Sequence, residues 1–285
     1  MKNSTPGLDK TQLHLFQTEG YVVVKGAVSL QLLQQLREQF NELMYDDDKY
    51  GKVSYTLNDK QYVSSLEKLC KKGNLASLEL LGSPAILSIA ESICGFDFFM
   101  IQEFGVIKML GDTTPVLWHQ DMLHERSGQC FTMGIYLDEA NPGDGALRVV
   151  PRSHTSNKNI CSLRHEAFVE IPMQPGDILI HDMMLAHSSM PLQKNKLRRV
   201  LYFEFLSAAH VERENIYTQE LVNTRTKLLH VAMRYYQQLH PGEQPFNWKG
   251  PVCDTFEPAE DVRQSLLEIY QNEINARPSA YVCFV

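Results

Sequence analysis

The sequence predicts a mainly β protein with flanking helices, its core a β-sandwich or jelly-roll barrel. Three observations carry that expectation. Residues 99–207 read as short runs rich in aromatic and β-branched residues, punctuated by Pro, Gly and Asp turns. The segments on either side carry apolar residues at helical spacing. A chain of 285 residues with 44% hydrophobic content can bury one sizeable core. The expected plan is a single domain: 1–98 as a mainly helical N-terminal wrap, 99–207 as the β-core, and 208–285 as a helical C-terminal extension.

Taken in order, Tyr21-Val22-Val23-Val24 is a strand-like run between Gly20 and Gly26. Ser29 is placed to cap a helix carrying Leu30, Leu32, Leu33, Leu36 and Phe40. A second helical region spans roughly 74–93, and Ser83-Pro84 should break it in two. Strands are expected at 99–101, 106–109, 130–137, 146–151, 168–172, 178–181 and 199–206. Residues 141–145 and 175–177 are turns. A helix carrying Leu221, Leu228, Leu229, Ala232 and Tyr235 should stop at His240-Pro241-Gly242, and a last helix lies near 259–275.

Charge narrows the partners. The net charge is −7, so the chain is a poor electrostatic match for nucleic acid or an anionic membrane. No apolar run is long enough to span a bilayer, and no signal peptide is expected at 1–20. The six cysteines (Cys70, Cys94, Cys130, Cys161, Cys253 and Cys283) show no CxxC spacing. They are expected as scattered free thiols, which with the other signals points to a cytoplasmic protein. The sequence assigns no oligomeric state.

The chemistry centres on Trp118-His119-Gln120-Asp121. In a strand, residues two apart point to one side, so His119 and Asp121 can aim at a single metal while Gln120 faces away. His187 follows His119 by 68 residues, after the 178–181 strand. Two histidines and one carboxylate make the facial ligand set of a non-haem Fe(II) that keeps positions open. Arg198 lies eleven residues after His187. Its planar guanidinium suits a dicarboxylate such as 2-oxoglutarate beside the metal. Arg199 competes for that role, but adjacent strand residues face opposite ways, so only one of the two can point inward.

These residues resemble the phytanoyl-CoA dioxygenase family of Fe(II)/2-oxoglutarate oxygenases, over about Gly20 to Phe205. Glu19-Gly20-Tyr21-Val22-Val23-Val24 is similar to the family's opening, and Lys108 followed by Trp118-His119-Gln120-Asp121 to its first ligand block. Residues 145–154 resemble its G-x-L-x-v-x-P-G-S-H segment, with Arg152 where the family has Gly. Pro175-Gly176-Asp177 and His187-Ser188-Ser189 match the turn and the distal ligand. The resemblance implies a double-stranded β-helix fold. It also implies His119, Asp121 and His187 as iron ligands, and Arg198, Ser189 and Gln102 around 2-oxoglutarate.

The reading that follows is a dioxygenase consuming Fe(II), 2-oxoglutarate and O2. It would hydroxylate, or oxidatively dealkylate, a small-molecule metabolite of a biosynthetic pathway and release succinate and CO2. No catalytic residue beyond the metal ligands is expected, and Asp121 argues against halogenation. Three alternatives have other signatures: a fatty acyl-CoA 2-hydroxylase, a non-catalytic 2-oxoglutarate or metal sensor, and a cupin-like enzyme of another metal. Met122, His124, Arg126 and His181 are substrate-pocket candidates. The 122–129 loop is expected to shape the substrate pocket at the barrel mouth together with segments around 50–62, and the polar, turn-rich 46–52 stretch to act as a mobile lid.

Overall fold

The computed structural model describes residues 7–47, 51–122, 129–214, 217–250, 260–271 and 281–284. In chain order the elements begin α1 Lys10–Glu19, β1 Tyr21–Val24, α2 Leu30–Tyr45, β2 Lys52–Leu57 and β3 Lys60–Glu67. They continue α3 Ala76–Leu81, α4 Pro84–Cys94, β4 Phe98–Met109, β5 Val116–Gln120, β6 Cys130–Tyr136 and β7 Leu147–Val149. Then come α5 Ile160–Leu163, β8 Val169–Ile171, β9 Ile178–Asp182, β10 His187–Ser189 and β11 Leu197–Ser207. Last are α6 Ala208–Glu214, α7 Gln219–Leu239, α8 Val262–Gln271 and β12 Tyr281–Val282.

The strands form two antiparallel sheets. The major sheet runs β1-β9-β6-β11-β4-β3-β2 and the minor sheet β12-β5-β10-β7-β8. Between them lies a small core of Tyr136, Leu147, Val149, Ile171, Leu179, Val200 and Tyr202. On the outer face of the major sheet, Met133, Ile135, Leu201, Phe203 and Phe205 pack with buried residues of α2, α3, α4 and α7. That double burial explains why β6 and β9 read as unbroken apolar runs rather than alternating ones. Gly105 of β4 is part of this packing, because a Cβ there would lie 2.5 Å from the ring of Phe40 on α2.

The helix signals are where the sequence places them. Ser29 accepts from Leu32 N at the start of α2, and Ser83 accepts from Ile86 N with Pro84 in the first turn of α4. α1 has no counterpart in the sequence reading. It opens on a capping box between Asp9 and Gln12 and ends on Gly20 at φ 85°.

The structure adds detail to the expected plan and corrects one part of it. The N-terminal wrap is mainly helical, with β1 joining one edge of the major sheet and the β2–β3 hairpin the other. Within the 50–62 segment, the described residues form this paired hairpin. Asn58 and Asp59 make its two-residue turn at φ 49° and 60°. The C-terminal extension likewise ends in a strand, β12, paired with β5. Cys161 and Cys283 are not free thiols but are joined by a disulfide. The pairing is geometric: the last strand returns to the minor sheet beside α5, a contact that spacing in the chain does not reveal. Cys70, Cys94 and Cys130 are not joined in disulfides, and Cys253 lies outside the described residues.

Candidate metal centre

β5 and β10 are antiparallel neighbours, with His119 directly opposite His187. Asp121 follows the last residue of β5, and its backbone N–H is held by Met183 O at 2.8 Å. The three side chains therefore converge from two adjacent strands. His119 Nε2 lies 3.4 Å and His187 Nε2 3.7 Å from Asp121 Oδ1. All three donor atoms fall within 4.8 Å of one another. Ligands about 2.0–2.2 Å from a first-row metal sit roughly 3 Å apart when adjacent, so a small inward adjustment closes the set on one ion.

The imidazoles are preset for metal. His119 Nδ1 lies 2.8 Å from Leu117 O, and His187 Nδ1 2.9 Å from Leu185 O. A carbonyl only accepts, so each Nδ1 carries the proton and each Nε2 presents its lone pair to the site. Asp121 is divided in the same way: Thr132 Oγ1 donates to Oδ2 at 3.0 Å, which leaves Oδ1 toward the histidines. Burial, followed by repulsion whenever His119 is protonated, pushes His187 down to about 3. Burial opposes charge on His119 too, but the Asp121 carboxylate outweighs it and raises His119, so metal binding there displaces any proton on Nε2. Burial also opposes charge on Asp121, but His187 and His119 outweigh it and hold the carboxyl well below its usual range. A neutral imidazole beside an ionised carboxylate is the form that binds a metal.

Above the triad is a cavity of about 400 Å³ including its open mouth. Its far end holds Arg198, Ser189, Val106 and Leu147, and the Phe104 and Tyr202 rings stack at 5.1 Å as one wall. Arg198 is 1% exposed; Nη1 donates to Gly145 O at 2.8 Å and Nε has no partner. Arg199 points to the opposite face, where it grips Asp138 through Nε and Nη2, each at 2.8 Å, and Asn41 through Nη1. Gly145, at φ 79°, leaves room that a Cβ would take from Leu192 at 2.5 Å.

The other expected site residues divide. His181 on β9 lines the cavity, its ring 4.6 Å from that of His187. Gln102 does not line it with Arg198; its amide donates to Glu204 at 2.6 Å. Met122 is not a pocket residue: it is wholly buried in the core, where the Cys130 thiol meets its sulfur at 3.7 Å. His124 and Arg126 lie outside the described residues, as does most of the 122–129 loop. Thr132 was missed, and its signal was a lone hydroxyl in the otherwise apolar run Cys130–Tyr136. Arg152, where the family has Gly, keeps the turn in the left-handed region at φ 66° and pairs its guanidinium with Glu19.

The sequence profile of the family described as "Phytanoyl-CoA dioxygenase (PhyH)" matches residues 16–200, a span that contains the triad and Arg198. The chain belongs to the phytanoyl-CoA dioxygenase family. Like that family, it is a non-haem iron, 2-oxoglutarate-dependent dioxygenase, with Fe(II), 2-oxoglutarate and O2 as its cofactor and cosubstrates. A methylphosphonate hydroxylase of Gimesia maris is 26% identical over 242 residues, covering 75% of this chain and 86% of the relative. Among solved structures, EvdMO1 is 24% identical with a TM-score of 0.64; the match covers 70% of this chain but half of that one. The epimerase SnoN, solved with Fe3+, alpha ketoglutarate and nogalamycin RO, is 17% identical with a TM-score of 0.59, over 70% of this chain and 82% of SnoN. These likenesses establish the fold as the cupin-like double-stranded β-helix. No described helix is long and apolar enough to cross a membrane.

Proposed function

We propose that the chain hydroxylates a small-molecule metabolite, with His119, Asp121 and His187 holding the iron and Arg198 and Ser189 holding the distal carboxylate of 2-oxoglutarate. The observation that carries this reading is one cavity with two ends. At one end, two Nε2 atoms and one carboxylate oxygen converge. At the other is a buried guanidinium with no carboxylate paired to it among the described residues. When bound, the iron and 2-oxoglutarate supply the oxidising power, with succinate and CO2 as coproducts.

The protein's own residues orient and exclude. Thr132 fixes which oxygen of Asp121 faces the metal, and the Leu117 and Leu185 carbonyls fix the imidazole tautomers. Arg198 sets the depth at which a dicarboxylate can sit, and Phe104, Tyr202, Val116 and Leu147 keep water from its flanks. His181, buried beside His187, limits the room on the β9 side of the iron.

A small metabolite of a biosynthetic pathway is the preferred substrate class. The methylphosphonate hydroxylase among the relatives and the epimerase from nogalamycin biosynthesis among the structures support it. The modest cavity supports it too. The reading includes a cytoplasmic location, tested by trapping thiols in intact cells and asking whether Cys161–Cys283 is oxidised there. The activity is tested by anaerobic loading with Fe(II) and 2-oxoglutarate, followed by a metabolite screen for stimulated succinate release. A stoichiometric iron and 2-oxoglutarate complex with stimulation by at least one metabolite supports the reading. A protein that binds neither would sink it.

A further inference from the structure

Arg198, which lines the cavity, has a second buried cation beside it. Lys108 on β4 is its direct cross-strand partner on β11, so the two side chains leave the sheet side by side on one face. Both are buried, at 4% and 1% exposure. Lys108 Nζ donates to the carbonyl of Ser189 at 3.3 Å, which brings it to the strand that carries His187. Among the described residues neither Lys108 nor Arg198 is ion-paired with a carboxylate, whereas the neighbouring Arg199 is held by Asp138 and the buried Arg225 by Glu103. Two adjacent buried cations without an anion are expensive. An anion absent from the chain itself is the natural partner for the pair.

We propose that Lys108 is a second cationic contact for the distal carboxylate of 2-oxoglutarate, and that it takes up a proton as the cosubstrate binds. This rests on reading the Arg198 end of the cavity as the cosubstrate's.

The electrostatics give the sign. Lys108 is pushed down to about 7, first by burial and then by Arg198; Asp112 in the loop after β4 pulls it up, and Arg148 on β7 adds to the repulsion. Asp112 is itself engaged, with Thr114 N donating to Oδ1 at 2.9 Å. In slightly alkaline solution without cosubstrate, Lys108 is therefore mostly uncharged. A carboxylate brought beside it favours the ammonium and raises its pKa toward the ordinary lysine value. Binding then draws a proton from the buffer onto Nζ, and affinity falls as pH rises above 7. The site thus carries a full dication only when a dianion is present to satisfy it.

Calorimetric titration of the anaerobic, iron-loaded full chain with 2-oxoglutarate tests this. It is run at about pH 8, one unit above the value for Lys108, in buffers of different ionisation heat. Wild type should take up most of a proton per cosubstrate bound. Lys108→Met should abolish that uptake and weaken binding about tenfold or more, as expected for losing a charge-assisted hydrogen bond. Lys108→Arg, charged at every accessible pH, should also abolish the uptake but retain more affinity than Lys108→Met. Thermal melts of each variant establish that it folds. Equal proton uptake in wild type and Lys108→Met, or unchanged affinity in a folded Lys108→Met, overturns the inference. Arg198→Ala with undiminished affinity would instead overturn the reading of the cavity end on which it rests, so the two failures are distinguishable.

Discussion

Arg198 and Arg199 are adjacent in sequence and alike in chemistry, yet the strand sends them to different work. Arg198→Ala should raise the 2-oxoglutarate requirement by about two orders of magnitude, since losing one partner of a buried charged contact costs roughly 2–5 kcal/mol. Arg199→Ala should leave that requirement nearly unchanged and instead lower the melting temperature, because it removes the two-point guanidinium contact to Asp138. Steady-state kinetics and a thermal melt of both variants check the pair, and the reverse ranking would show that Arg199 serves the cavity. Thr132 gives a second residue-level test. Thr132→Val removes the donor to Asp121 Oδ2 while keeping the shape. Iron affinity should fall about 10- to 100-fold, as is usual when a partner of a metal ligand is lost, and Thr132→Ser should restore it. The convergence of His119, Asp121 and His187 and the inward turn of Arg198 were legible in the sequence because strand alternation and fixed offsets are local facts. Thr132 and Lys108 owe their places to cross-strand register, which no spacing along one strand encodes.

At the scale of elements, legibility followed the same divide. The capped helices α2 and α4 and the turn-bounded strands announce themselves through Ser29, Ser83-Pro84 and the Asp-Gly turns. The β2–β3 hairpin was missed because its polar, half-exposed residues resemble a loop until Asn58-Asp59 is read as a tight turn. β12 was invisible because two residues make a strand only when β5 receives them. That pairing places the chain's last described strand against β5, which carries the proposed ligand His119, with Val282 opposite His119 and Cys283 N donating to Trp118 O at 3.0 Å. The disulfide fastens it there across a sequence separation of 122 residues. Closing so long a loop constrains the unfolded chain, so the bond should contribute about 2–4 kcal/mol. Melting with and without a dithiol should therefore separate wild type by several degrees, while Cys283→Ser should melt at the lower temperature in both. A wild-type protein indifferent to reductant would mean that the bond does not form. Gly105 is the matching test on the helical side. Gly105→Ala drives a methyl into Phe40 and should destabilise by about 1–3 kcal/mol without changing iron binding.

For the whole molecule, the site sets a limit on stability. An acidic chain of net charge −7 holds two adjacent buried cations, Arg198 lining its cavity and Lys108 beside it, with no carboxylate ion-paired to either among the described residues. Lys108 is pushed down to about 7 in the fold, against roughly 10.4 in an unfolded chain. Between those values the unfolded state binds more protons, so stability rises with pH. The cost of burying Lys108 is full below pH 7 and fades as pH climbs toward the ordinary lysine value. Lys108→Met removes the cost, so without cosubstrate the variant should melt above wild type, with the widest gap below pH 7 and a narrowing gap above it. Saturating 2-oxoglutarate on the iron-loaded protein should reverse the order, because ligand that binds only the folded state stabilises it in proportion to its affinity, and wild type binds more tightly. Melting curves of both proteins across pH 6–9, with and without 2-oxoglutarate, check the crossing. Parallel curves would mean that the buried lysine is neither strained nor relieved by the cosubstrate. A crossing would show stability given up in the empty enzyme and recovered on binding, the pattern expected of a site shaped around its anion rather than around its own fold.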